Sequence, residues 1–91
     1  MKFLAVCGFG VGSSMVLKMT IEKVCRARNI NCEVQNTDLT SVKGMEADAV
    51  FTSPEIAMDL KQTLKCPVFG IKKYMDQKEV EQAINQFLEN Q

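Results

Sequence analysis

Short apolar runs of strand character alternate with helix-period segments four times along this chain, and few folds are open to a sequence built that way. Each helix carries the chain back to the same edge of a sheet, so successive strands run parallel. Residues 2–6 predict a first strand. A helix follows from Ser14 to about Asn29, where Leu17, Ile21, Val24 and Cys25 form an apolar stripe at i, i+4, i+7 and i+8. Residues 31–37 alternate Cys32 and Val34 against Glu33 and Gln35, the pattern of a half-exposed strand, whereas residues 47–52 read as an apolar run covered on both faces. Ser53-Pro54-Glu55 supplies an N-cap, a proline at the first helical position and an early acid, opening a helix with Ile56, Ala57, Leu60 and Leu64 on one face. Pro67 leads into a last strand over 68–71 and suits an edge position. Asp76 with Glu79 has the spacing of a capping box, and Met75 with Val80 that of a hydrophobic staple. The helix they open turns Val80, Ala83, Ile84, Phe87 and Leu88 inward.

Two interior strands, the first and third, flanked by edge strands two and four, predict an α/β fold: a doubly wound four-stranded parallel sheet of order 2-1-3-4 with helices on both faces. The switch point lies between strands one and three, where open α/β sheets bind ligands. The segment from Cys7 to Ser13 should therefore face Thr52-Ser53 across that crevice.

Composition narrows the function. At 91 residues the chain is expected to form one domain over 1–91. Its 11 basic and 11 acidic residues cancel, and no basic cluster exceeds Lys72-Lys73, which argues against nucleic acid as a partner. The apolar start ends at a glycine-rich segment after one positive residue, and no apolar run approaches the roughly 20 residues of a membrane span. A soluble, cytoplasmic protein that does not itself span the membrane is expected. Four cysteines without a C-x-x-C pair, in a chain with no histidine, provide neither a metal site nor an internal Cys-His or Ser-His nucleophile pair. Reduced thiols and no cofactor are expected.

Chemistry concentrates in "AVCGFGVGSSM", Ala5 to Met15. Gly8, Gly10 and Gly12 allow close backbone approach, so that successive N–H groups can form a concave nest for an oxyanion at the start of the first helix. A thiolate at Cys7 would be stabilised there and become nucleophilic. The competing reading makes Cys7 a packed core residue and the glycines a tight turn; for Cys25, Cys32 and Cys66, on apolar stripes or at strand ends, that small-hydrophobe reading is preferred. A cysteine-dependent low-molecular-weight phosphatase or arsenate reductase places an arginine six residues after its nucleophile to clamp the phosphoryl oxygens. Here that residue is Ser13, and no cation precedes Lys18. Such a loop can hold a phosphoryl group but is poorly equipped to hydrolyse it. Gly8-x-Gly10 is only a weak match to a dinucleotide-binding fingerprint.

The stretch "LAVCGFGVGSSMVLKM" resembles the phosphorylation loop and first helix of EIIB components of the bacterial phosphoenolpyruvate-dependent sugar phosphotransferase system, most closely the ascorbate-type branch, which shares its fold with the lactose/cellobiose and galactitol types. The resemblance implies that Cys7 accepts a phosphoryl group from a phosphohistidine of an EIIA protein and passes it to a carbohydrate, ascorbate or a related one, at the EIIC membrane permease. Gly8, Phe9, Gly10, Val11, Gly12, Ser13 and Ser14 would then surround that group. A regulatory domain of the same fold is the alternative within the family. Because a carrier docks two partners in turn, Met15 and Met19, which fall opposite the buried stripe of the first helix, are expected to form a docking patch with Phe9 and Val11.

Overall fold

A computed structural model describes residues 1–7 and 11–89, without the side chains of 11–13. Its elements alternate as β1 (Lys2–Val6), α1 (Val11–Ala27), β2 (Glu33–Thr37), α2 (Leu39–Val42), β3 (Ala49–Thr52), α3 (Pro54–Thr63), β4 (Val68–Gly70) and α4 (Gln77–Glu89). The strands pair in parallel in the order β2-β1-β3-β4, as the apolar patterning predicts. β1 is central, with Phe3 opposite Val34 of β2 on one side and Ala49 of β3 on the other. Every residue of β3 is buried, whereas β2 buries only Val34 and β4 only Val68. Interior and edge strands thus carry the burial that their sequences announced.

The two-residue period of β1 feeds two cores. Phe3 and Ala5 point to one face and pack with Leu17, Ile21 and Val24 of α1 and Val80, Ile84 and Phe87 of α4. Leu4 and Val6 point to the other and pack with Val42, Ala57 and Leu60 of α2 and α3. Phe3 is the hub of the first core, meeting Phe51 and Phe87 edge-on with ring centroids 5.2 and 5.4 Å apart. Such T-shaped pairs add about 0.5–1.5 kcal/mol to the burial of the rings themselves.

Element ends follow local chemistry. α1 closes on Asn29 at φ 58°, with the Asn29 amide donating to the Arg26 carbonyl (3.2 Å) and the Ile30 amide to the Cys25 carbonyl (2.8 Å). This is a Schellman turn, and Ile30 packs onto the core as that motif requires. α3 begins as predicted: the Ser53 side chain accepts from the Ile56 amide, with Pro54 at the first helical position.

Several local expectations are revised. α1 starts at Val11 rather than Ser14, and the turn at Asn29 delays β2 to Glu33. The capping box of α4 is realised only in half. Asp76 accepts from the Lys78 and Glu79 amides, but the Glu79 carboxylate reaches back to the amides of Lys72 (2.7 Å) and Lys73 (3.0 Å) instead of to the Asp76 amide. Met75 is 80% exposed and makes no staple with the buried Val80. Among the described residues no helix is long and apolar enough to cross a membrane.

Candidate functional site

Cys7 leaves the C-terminal end of β1, the central strand, where the strand order reverses between β1 and β3. The neighbouring strand ends are bound to this point. Thr52, the fully buried last residue of β3, donates from Oγ1 to the Val6 carbonyl at 2.8 Å, and its own carbonyl accepts from the Ile71 amide at 2.6 Å. A Cβ on Gly70 would lie 2.8 Å from the Pro54 Cα, so the end of β4 presses directly on the start of α3. The ends of β1, β3 and β4 thereby form one platform, and Thr52-Ser53 sits beside Cys7 as the topology predicts.

The sequence reading did not single out Tyr74, which the structure brings to the same point. It lies between β4 and α4, half-buried against the Phe3 core. Burial pushes the Tyr74 phenol above its ordinary range; negative charge on Cys7 and a hydrogen bond with it push the same way, while a hydrogen bond with Ser53 opposes them. Only topology could have found it. A lone tyrosine in a connecting segment carries no local signal, but β4 neighbours β3, so the segment after β4 must border the crevice.

Gly8, Phe9 and Gly10 lie outside the described residues, as do the side chains of Val11, Gly12 and Ser13, whose backbone forms the first turn of α1. That helix presents the positive end of its dipole to the C-terminal edge of the sheet. Ser14 is 2% exposed, and its Oγ accepts from Asn36 Nδ2 of β2 at 3.5 Å. Met15 and Met19 are 44% and 51% exposed, with Val16 beside them at 37%. Cys7 itself is only 6% exposed. Cys25 is buried, and Cys32 and Cys66 are half-buried against the two cores, in keeping with their reading as small hydrophobes. A cavity of about 760 Å³ bordered by Lys2, Asp48 and Cys66 lies at the opposite edge of the sheet, away from Cys7.

The family model described as "PTS system, Lactose/Cellobiose specific IIB subunit" matches residues 2–86. This chain belongs to that family. As a phosphotransferase-system IIB subunit it serves phosphoryl transfer in sugar uptake, and the phosphatase-like alternative is not favoured. Among the relatives of this IIB subunit is the "Ascorbate-specific PTS system EIIB component" of Mycoplasma pneumoniae, 30% identical over 87 residues that cover 93% of this chain and 92% of the relative. The protein of the same description from Escherichia coli O157:H7 is 32% identical over 76 residues, covering 81% and 75%. The lactose-specific IIB component domain of Streptococcus pneumoniae shares the fold at a TM-score of 0.67 and 18% identity, covering 98% of this IIB subunit and 95% of that chain.

Proposed function

We propose that residues 1–91 act as a phosphocysteine carrier domain in which Cys7 accepts a phosphoryl group from a phosphohistidine of an EIIA protein and delivers it, on the cytoplasmic side, to ascorbate or a related carbohydrate bound at an EIIC permease. The observation that carries this reading is the position of Cys7: the only cysteine at the switch point, at the head of the C-G-x-G-x-G-S-S run, in a chain with no histidine to act as donor in cis. The names of the ascorbate-specific relatives support the substrate class.

Phosphoryl transfer asks a protein chiefly for positioning and for stabilisation of charge. Backbone amides of Gly8 to Ser13 and the hydroxyls of Ser13 and Ser14 would surround the phosphoryl oxygens. Without the arginine of a phosphatase, water attack gains little and the S–P bond persists until an acceptor hydroxyl arrives. Because Cys7 is 6% exposed, docking of a partner must uncover the sulfur further before in-line attack. Met15 and Met19, both exposed on α1, would form part of the docking patch together with Phe9 and Val11.

Incubation with phosphoenolpyruvate, the general phosphorelay proteins and an ascorbate-type EIIA, followed by intact mass measurement, tests the carrier role. A gain of one phosphoryl group in the wild type and none in Cys7→Ser is expected; a label that persists in Cys7→Ser overturns it. Changing Met15 and Met19 together to Ser should slow transfer from EIIA and to EIIC in a stably folded protein. Unaltered rates would remove the patch.

A further inference from the structure

The two faces of the sheet differ in the charge they bring to the exit of Cys7. α1 and α4 pack on one face, with Phe3 and Ala5, while α2 and α3 pack on the other, with Leu4 and Val6. The segment from Cys7 into α1 and the segment from β4 into α4 therefore cross the C-terminal edge of the sheet toward the same face. They are joined through Thr52. The Ile71 amide donates to the Thr52 carbonyl at 2.6 Å, and Thr52 Oγ1 donates at 2.8 Å to the carbonyl of Val6, the residue before Cys7. Lys72 and Lys73 follow Ile71 directly.

That second segment is the basic part of this edge. Lys72, Lys73 and Lys78 are exposed. The acids beside them are turned to the backbone: Asp76 accepts from the Lys78 and Glu79 amides, and Glu79 from the amides of Lys72 (2.7 Å) and Lys73 (3.0 Å). The two lysines thus serve the fold with their amides and leave their side chains in solvent. Met75, 80% exposed, adds an apolar contact between Lys73 and Lys78. Asp38 and Glu55, acids of the same edge, head α2 and α3 on the opposite face. On the side of α1 no cation lies between Cys7 and Lys18.

We propose that Lys72 and Lys73, with Met75 and Lys78, form the recognition surface for the phosphorylated donor, an EIIA face made negative by its phosphohistidine. The proposal rests on the reading of Cys7 as the carrier. A phosphoryl group brings roughly 1.5–2 negative charges near neutral pH. In the accepting step that charge belongs to the partner, and a cationic rim on this chain draws it in. In the delivering step it sits on Cys7 itself, where the lysines offset it and do not attract the permease. The same side chains therefore favour arrival of the donor while it is phosphorylated and its departure once it is not. They touch no reacting atom. Their effect falls on encounter and orientation, which long-range charge governs more than it governs bond making.

Lys72→Gln combined with Lys73→Gln removes both charges and keeps both amides, so the contacts to Glu79 survive. Lys43→Gln combined with Lys65→Gln removes the same net charge beside the cavity at the opposite edge of the sheet. At low ionic strength the first pair should lower kcat/KM for a phosphorylated ascorbate-type EIIA about tenfold, with the single-turnover rate at saturating donor unchanged. The second pair should stay near the wild type. In about 1 M salt, where the screening length falls to about 3 Å, the difference should vanish. A first pair that matches the wild type, equal losses in the two pairs, or a loss confined to the saturating rate overturns the proposal. So does delivery to EIIC that falls as much as acceptance from EIIA. The wild type supplies a measurement that needs no variant: its own kcat/KM for the phosphorylated donor should fall with salt, and a salt-independent value overturns the surface. Failure of the carrier reading is seen separately, as a label retained in Cys7→Ser.

Discussion

Thr52 closes β3 against β1 with a hydrogen bond from its side chain, 2.8 Å from Oγ1 to the Val6 carbonyl, one residue before the cysteine at the site. The bond is fully buried and spans two strands that already pair through Phe3, Leu4 and Ala5. Its contribution is therefore directional. It extends the β1–β3 register past the last paired residue and holds the strand end from which Cys7 departs. With the Thr52 carbonyl taken by the Ile71 amide, one residue ties together the ends of three strands.

Thr52→Val preserves shape and removes the donor. A buried neutral hydrogen bond of this kind contributes about 1–2 kcal/mol. Urea unfolding should show a lower midpoint with an unchanged slope, and Thr52→Ser should recover most of the loss. Alkylation of Cys7 should also become faster in Thr52→Val, since the strand end above it is freed.

Gly70→Ala should destabilise the chain although it adds one methyl group. The new Cβ would stand 2.8 Å from the Pro54 Cα and 3.4 Å from the Pro54 nitrogen, in contact with backbone at the start of α3 that cannot swing aside like a long side chain. Overpacking of this sort costs about 1–3 kcal/mol. A thermal melt within experimental error of the wild type would mean that β4 and α3 can separate without loss.

The elements that the sequence made legible are those whose signals are local. β1 was bounded correctly because a lysine and a glycine-rich segment enclose its apolar run, and the Ser53-Pro54 start of α3 because cap and proline agree. Strand order was readable since burial on two faces, as at Val50 and Phe51, distinguishes an interior strand from an edge such as Val34 and its half-exposed neighbours. α4 shows where this kind of reading stops. Asp76 and Glu79 have capping-box spacing, but Glu79 found two amides offered by the segment after β4, a competition that only the folded chain creates. Tyr74 escaped for the same reason: Cys7, whose charge bears on its phenol, lies far away along the chain.

Asp38 predicts an acid response at α2, a helix of only four residues. The backbone amide of Ser41, and then its side chain, hold the Asp38 carboxyl below the usual aspartate range. A depressed folded value means that the stabilisation is present above the unfolded pKa and is lost as pH falls through the folded one. Carbon-detected NMR titration should place Asp38 below a peptide aspartate. Asp38→Asn, which retains an acceptor for the 2.6 Å bond from the Ser41 amide, should flatten the acid limb of the stability curve. An aspartate that titrates at its peptide value would show that the cap is not held in solution.

Cys25 makes the opposite prediction at the alkaline end. Burial pushes its thiol up to about 12, helped by a hydrogen bond with Cys32, by negative charge on Cys32 and by Glu22. In the unfolded chain a thiol ionises near about 8.5. Between those values the native state holds a proton that the unfolded state has released, so stability is fully present below the unfolded pKa and declines as pH rises toward 12. Cys66, whose thiol is also raised by burial, contributes in the same direction, so the comparison must be differential. Urea midpoints at pH 8 and pH 10 should fall less in Cys25→Ala than in the wild type, whatever the constant cost of the lost sulfur. Under native conditions Cys25 should also be the slowest of the four thiols to react with iodoacetamide, and should react at a peptide-like rate once urea exposes it. Equal alkaline slopes in the two proteins would mean that the Cys25–Cys32 neighbourhood opens to water before either thiol ionises.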